Sequence, residues 1–180
     1  LTLTYHSPNG EEGYPGALTT RLTYTFTDQN ELRIDYLAEA ETTTVVNLTH
    51  HGYWNLGGHD GNSVLEHELE IAAGFYTPAD KQHTATGEIL PVKGTALDFR
   101  TPKLIGDDIE RIEFPGNTDP LGYDLNYVLD RSDDGLQFVA RARNPQSGCT
   151  IEFATTKPGM VLYTGNYLDG TCIGKNDMSY

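Results

Sequence analysis

Apolar and polar residues alternate with a period of two along most of this chain. Leu18, Leu22, Tyr24 and Phe26 share one parity, while Thr19, Arg21, Thr23 and Thr25 take the other, which predicts a half-buried strand. Asp28, Gln29 and Asn30 then supply turn chemistry, and Leu32, Ile34, Tyr36 and Ala38 resume the alternation, so the two runs predict an antiparallel hairpin. The β-branched residues 42–48 predict a third strand that ends at a pair of histidines. Leu65, His67, Leu69 and Ile71 alternate with Glu66, Glu68 and Glu70, a strand with one acidic face. Leu136, Phe138, Ala140 and Ala142 alternate with Gln137, Arg141 and Arg143, and short strands follow over 150–156 and 161–163.

Between these runs glycine and proline mark breaks. Gly74, Pro78, Gly87, Pro91, Gly94, Pro102 and Gly106 predict long, shaped loops joined by very short strands, with room for one short helix around Leu104, Ile105, Ile109 and Ile112. Many short strands without an internal repeat predict an all-β, antiparallel β-sandwich. At 180 residues the expectation is one domain over 1–180.

Composition narrows the function. A formal charge of -14 and scattered basic residues, with Arg141 and Arg143 the tightest pair, argue against nucleic acid and against a polybasic membrane anchor. No apolar run approaches the ~20 residues of a membrane span. The two cysteines, Cys149 and Cys172, are too few for a disulfide framework and are expected to be buried or idle thiols. The six histidines show no metal-ligand spacing, so no metal is expected. The chain starts at Leu1 and not at Met, which leads us to expect a natural N-terminus further upstream. That leaves the compartment open between the cytoplasm, which is favoured, and an extracytoplasmic location. Oligomeric state is equally open.

The chemistry-bearing stretch is Asn47-Leu48-Thr49-His50-His51-Gly52-Tyr53-Trp54-Asn55. It places imidazoles, two aromatics and two amides together, the side chains that meet a sugar's hydroxyls and its apolar face. On residue chemistry alone His51 is either a hydrogen-bonded structural imidazole or a proton donor and acceptor near neutral pH. Tyr53 and Trp54 can stack on a ligand, and Trp54 equally can pack in a core. Asp124, in Gly122-Tyr123-Asp124-Leu125-Asn126-Tyr127, is either a turn or capping residue or a ligand acceptor, because burying it unpaired is costly. Glu11 and Glu12, in Gly10-Glu11-Glu12-Gly13-Tyr14-Pro15-Gly16, are adjacent and point apart on an extended chain, so they cannot flank one bond.

Together these three segments resemble the aldose 1-epimerase, or galactose mutarotase, family. The resemblance implies a mutarotase-like supersandwich, here incomplete at both ends, acting on free hexoses such as galactose and glucose without a cofactor. It places the catalytic acid on His51 and substrate contacts on Asp124, Gly52, Tyr53 and Trp54. Gly52 stands where relatives usually carry a hydroxyl residue, Leu125 replaces a frequent histidine, and Val161 stands where many relatives place a polar sugar contact. The segment 10–16 is implied to be a structured loop, and Glu88 and the Asp98-Phe99-Arg100 run are implied to hold long loops. The family's catalytic glutamate, an arginine and a second histidine fall in segments outside 1–180, so the implied activity belongs to a larger protein and this segment is expected to be inactive alone. A non-catalytic carbohydrate-binding sandwich is the alternative. A sugar-phosphate specialist is disfavoured because no Arg or Lys cluster stands in the site segments.

Overall fold

Leu18–Phe26 (β2) and Leu32–Ala40 (β3) pair antiparallel as the alternation requires, from Leu18 opposite Ala40 to Phe26 opposite Leu32. The computed structural model describes residues 1–60, 63–113 and 121–180. Asn30 takes the left-handed conformation, φ 61°, in the connecting turn, which an asparagine tolerates better than most side chains. A strand that the alternation reading missed, Thr2–Ser7 (β1), pairs antiparallel with the free edge of β2. These three strands form the sheet of a first compact unit, Leu1–Tyr53. One of its faces carries Leu3, Tyr5, Leu22, Tyr24, Ile34 and Tyr36, while threonines and charged residues occupy the other.

The strand expected over 42–48 is absent. Residues 45–53 have no regular hydrogen-bonded structure, and Val45 and Val46 are exposed. β-Branched residues favour a strand only where a neighbouring strand is available to pair, and β3 has no such partner on its outer edge among the described residues.

The second unit, Trp54–Tyr180, contains two four-stranded antiparallel sheets. One is ordered β10-β9-β4-β7 and built from Glu68–Ile71 (β4), Lys103–Leu104 (β7), Gln137–Arg143 (β9) and Thr150–Thr155 (β10). The other is ordered β11-β8-β5-β6 and built from Phe75–Thr77 (β5), Leu90–Pro91 (β6), Asp124–Val128 (β8) and Gly159–Tyr163 (β11). Leu69, Ile71, Val139 and Ala140 from the first sheet and Tyr76, Leu125 and Tyr127 from the second share one buried core. The expected all-β, antiparallel sandwich is therefore present, and the expected short helix is a 3-10 helix over Ile105–Arg111.

The alternation over 136–142 fails at one point for a defined reason. A register shift opposite Phe153 and Ala154 leaves Val139 as an extra residue in β9, so Val139 and Ala140 are both buried while Phe138 turns outward. A bulge of this kind reverses side-chain parity beyond it. The acidic face of β4 is real but paired: Glu70 lies opposite Arg141, which donates to its carboxylate at 2.7 Å. Both cysteines are free and exposed, so the buried-thiol expectation is corrected.

Two tyrosines lock the long loop between β6 and β7 onto the core. Tyr123 and Tyr127 are fully buried and donate their hydroxyls to the carbonyls of Ala96 and Leu97, at 3.1 and 3.0 Å. Burial pushes both phenols far above their ordinary ionisation range, so they remain neutral donors. Asp98 and Arg100 form a bidentate pair that fastens the same loop, and the guanidinium holds the Asp98 carboxyl below its usual range. Among the described residues Glu88 makes local hydrogen bonds with Thr86 only.

Candidate functional site

The histidine segment closes the first unit. His51 is exposed, and its ring meets that of Tyr53 at a centroid distance of 5.4 Å and a tilt of 59°. His50 sits edge-on to Tyr24 of β2 at 6.2 Å. Gly52 permits that arrangement: a Cβ built on it would lie 2.6 Å from Cε1 of His50. The residue that departs from the usual hydroxyl at this place thus matches the inward fold of the preceding ring. Tyr53 and Trp54 are 62% and 47% exposed, which decides against core packing for either.

After Trp54 the chain enters the second unit and is clamped there. The Leu56 amide donates to Nε2 of His67 at 2.9 Å, and the Leu56 carbonyl accepts from the Ser147 hydroxyl at 2.8 Å. His67 is a residue the sequence marked only as part of a strand, yet it is 97% buried, the complement of its 3% exposure. Because Nε2 accepts, the proton of the neutral ring resides on Nδ1. Burial lowers its pKa, outweighing the opposing pull of the Val64 carbonyl and the Glu66 carboxylate.

Asp124 opens β8 in the second unit, half-buried. Its orientation follows from period two. Tyr123, Leu125 and Tyr127 point into the core, so Asp124 and Asn126 point outward. Opposite them on the same face stand Tyr163, paired with Asp124, and Thr77 and Val161, which flank Asn126. Asn126 Nδ2 donates to the Thr77 hydroxyl at 3.1 Å. The segment is fastened from behind, where the Tyr123 amide donates to the Thr164 hydroxyl at 2.9 Å and the Thr164 amide returns a bond to the Tyr123 carbonyl. Gly122 belongs to the same joint, because a Cβ there would fall 2.6 Å from the side chain of Asn166. Two segments that are 41 residues apart in sequence are thereby held together.

A recess of about 180 Å³ lies over this face, lined by Thr77, Pro78, Ala79, His83, Ala85, Asp124, Leu125, Asn126 and Val161. It falls below the ~300–1,000 Å³ of sites for drug-sized ligands, and suits a single small ring or one part of a larger site. Val161 is 61% exposed there and joins Pro78, Ala79, Ala85 and Leu125 in an apolar share of the lining beside Thr77, His83, Asp124 and Asn126. A larger recess, about 550 Å³, borders Arg100, Lys103, Asp108 and Arg111. Its charges already serve one another: Lys103 donates to Asp108 and to the Ala96 carbonyl and lies over the Phe99 ring, and Arg111 donates to Asp108.

The loop 10–16 has a structural arrangement. Glu11 accepts from the Tyr5 and Ser7 hydroxyls, and Asn9 accepts from the Gly16 amide. Among the described residues no group of three or more His, Cys, Asp or Glu side chains is arranged to hold a metal ion, and no helix is long and apolar enough to cross a membrane.

Fold and recess together define a class: an antiparallel all-β protein whose outward carboxylate, amide and hydroxyl suit a hydroxyl-rich ligand. Comparison with known proteins makes the class specific. The family model for aldose 1-epimerase matches residues 1–179. Galactose mutarotase of Mus musculus is 45% identical over 174 residues, covering 97% of this chain and 48% of the relative. The human galactose mutarotase is 44% identical over the same coverage, and the Escherichia coli aldose 1-epimerase is 33% identical over 168 residues, covering 92% of this chain and 47% of the relative. Among solved structures, a GalM/aldose epimerase homologue from C. elegans superposes with a TM-score of 0.85 at 31% identity, covering 99% of this chain and 52% of that one. Galactose 1-epimerase from Lactobacillus acidophilus gives 0.78 at 27% identity, with coverage of 99% and 52%. The chain belongs to the aldose 1-epimerase family. It spans about half the length of the curated relatives it matches.

Proposed function

We propose that this chain is the portion of a mutarotase that carries the acid and one substrate anchor, and that the complete protein interconverts the α and β anomers of free hexoses such as galactose and glucose. The observation that carries the reading is the family match over residues 1–179, including the Asn47 to Asn55 and Gly122 to Tyr127 segments. The geometry of β8 supports it, since a carboxylate anchored on a strand with a locked inner face is a preorganised acceptor for sugar hydroxyls.

The reaction requires two proton transfers. A base removes the proton from the hydroxyl on C1, the bond between C1 and the ring oxygen breaks, and an acid protonates that oxygen. Rotation of the open-chain aldehyde about its bond to C2, followed by closure with the roles reversed, gives the other anomer. In this reading His51 is the acid, and its protonated ring also stabilises charge developing on the ring oxygen. Asp124 accepts hydrogen bonds from sugar hydroxyls and so fixes the ring. Tyr53 and Trp54, both exposed, offer faces for the sugar's apolar side. The base is a glutamate supplied by a segment outside 1–180. Residues 1–180 then belong to one larger domain, and alone they leave anomer exchange at its uncatalysed rate.

The test is anomer exchange followed by NMR on freshly dissolved galactose. The complete protein is expected to accelerate it, and His51→Asn to reduce kcat by ~10²- to 10⁴-fold with KM within a few fold. Unchanged turnover in that variant removes His51 from the acid role. Sugar binding without any exchange by the complete protein replaces the enzyme with a carbohydrate-binding sandwich. Exchange by residues 1–180 alone places a base inside them.

A further inference from the structure

The recess over Asp124 has a second polar wall that the family resemblance did not anticipate. His83 lines it from the loop between β5 and β6. The loop is a small hairpin of its own: Ala79 and Ala85 form a bridge, the Asp80 amide donates to the Thr84 carbonyl, and the Asp80 carboxylate accepts from the amides of Gln82 and Thr84. His83 occupies its tip in the left-handed conformation, φ 59°, one that side chains other than glycine and asparagine seldom adopt. The ring is also held from outside. His83 Nε2 and the Tyr167 hydroxyl lie 3.2 Å apart, the two rings meet edge to face at 6.0 Å, and Tyr167 stacks on Tyr163, the residue opposite Asp124 in the sheet.

Proton counting shows what this pair offers. A neutral histidine has one N–H and a tyrosine has one O–H, and their mutual hydrogen bond uses one of the two. If Tyr167 donates to Nε2, the proton of His83 sits on Nδ1, which has no partner among the described residues. If Nε2 donates, the Tyr167 hydroxyl proton is left over. With Tyr167 donating, the spare N–H belongs to His83, which lines a recess whose other wall holds Asp124, a carboxylate that only accepts. A sugar hydroxyl both donates and accepts, so two neighbouring hydroxyls are read best by an acceptor on one side and a donor on the other.

We infer that His83, braced by Tyr167, is a substrate-contacting residue that pairs with Asp124 to read neighbouring hydroxyls of the aldose and thereby helps set which epimer is preferred. The inference rests on the mutarotase reading, and Tyr167 acts in it as a positioning residue. The test uses the complete protein containing residues 1–180. His83→Gly removes the ring without a backbone penalty at positive φ, while His83→Asn tolerates the same backbone and restores a donor. His83→Gly is expected to raise KM for galactose about tenfold, the value of one hydrogen bond, with kcat within twofold, and His83→Asn to recover most of it. In a series of monodeoxy sugars, the one lacking the contacted hydroxyl should bind wild type and His83→Gly equally. An unchanged KM, or an equal rise for every deoxy sugar, overturns the inference while leaving the mutarotase reading intact. If the wild type shows no anomer exchange, the mutarotase reading fails on its own. Galactose binding measured by saturation transfer in the same sample then decides the contact: loss in His83→Gly upholds it and retention overturns it.

Discussion

The two segments that carry the sugar-site resemblance are built in opposite ways. Asp124 stands on a strand inside a four-stranded sheet between buried Tyr123 and Leu125, and Tyr123 and Tyr127 are hydrogen-bonded to a distant loop. His51 stands on irregular chain, exposed, with a tilted tyrosine as its ring neighbour. A substrate anchor gains from rigidity, because its hydrogen bonds are worth most when the acceptor is already in place. His51, the acid of the proposed function, stands on irregular chain and takes its position from the residues packed around it. The difference teaches that stability and function separate cleanly: substitutions behind Asp124 should unfold the protein, and substitutions at His51 should leave it folded and inert.

The largest expected effect breaks the rigid side. Tyr127→Ala removes a fully buried ring and leaves the Leu97 carbonyl without its donor, which should cost about 3–5 kcal/mol in urea unfolding monitored by circular dichroism. His51→Asn in the same assay should stay within ~0.5 kcal/mol of wild type, as an exposed side chain does. Comparable losses from the two substitutions would refute the contrast.

Next in size, Asp124→Asn sharpens it. The amide is nearly isosteric and the inner face of β8 is untouched, so the unfolding midpoint should hold. Galactose affinity should fall by about 10- to 100-fold, the value of a charge-assisted hydrogen bond, as read by calorimetry on the complete protein. A stability loss with unchanged affinity would make Asp124 a structural residue.

Smaller still is the pH response of the clamp that holds Leu56 within the second unit. Burial keeps the His67 pKa below its unfolded value of about 6.5, so the unfolded chain takes up the proton first. His67 therefore contributes stability that is fully present above pH ~6.5, falls as the pH drops below that value, and levels off beneath the lowered folded pKa. Protonation also removes the acceptor for the Leu56 amide. Unfolding midpoints should decline from pH 7.5 to 5.5 more steeply in wild type than in His67→Gln, whose amide oxygen accepts at any pH. Parallel declines would assign the acid sensitivity to other groups.

Which of these features the sequence announces depends on whether the cause is local. The β2–β3 hairpin was legible because its alternation and turn residues are contained in 23 consecutive residues, Leu18 to Ala40. Asp124 was legible because its apolar neighbours fix which way it faces. The bulge at Val139 was not, because it is set by the register against β10, and residues 42–48 misled because β-branched character does not supply a pairing partner. The contacts of His83 and His67 were invisible for a related reason. Each meets a residue outside its own turn or strand, Tyr167 at a separation of 84 residues for the first and Leu56 at 11 for the second, and no periodicity encodes such a meeting.

The smallest expected effect probes the flexible side at Gly52. Gly52→Ser restores the hydroxyl residue common at this place in relatives, and its Cβ would fall 2.6 Å from Cε1 of His50. That atom belongs to an exposed ring and can move, so the outcome is displacement of His50 from Tyr24 and not unfolding. The lost edge-on ring contact should cost about 0.5 kcal/mol. In NMR spectra the His50 and Tyr24 ring signals should shift while those of Tyr123 and Tyr127 stay in place. If the tyrosine signals of β8 moved as much, the irregular segment would be as tightly coupled to its surroundings as the strand, and the contrast between the two segments would disappear.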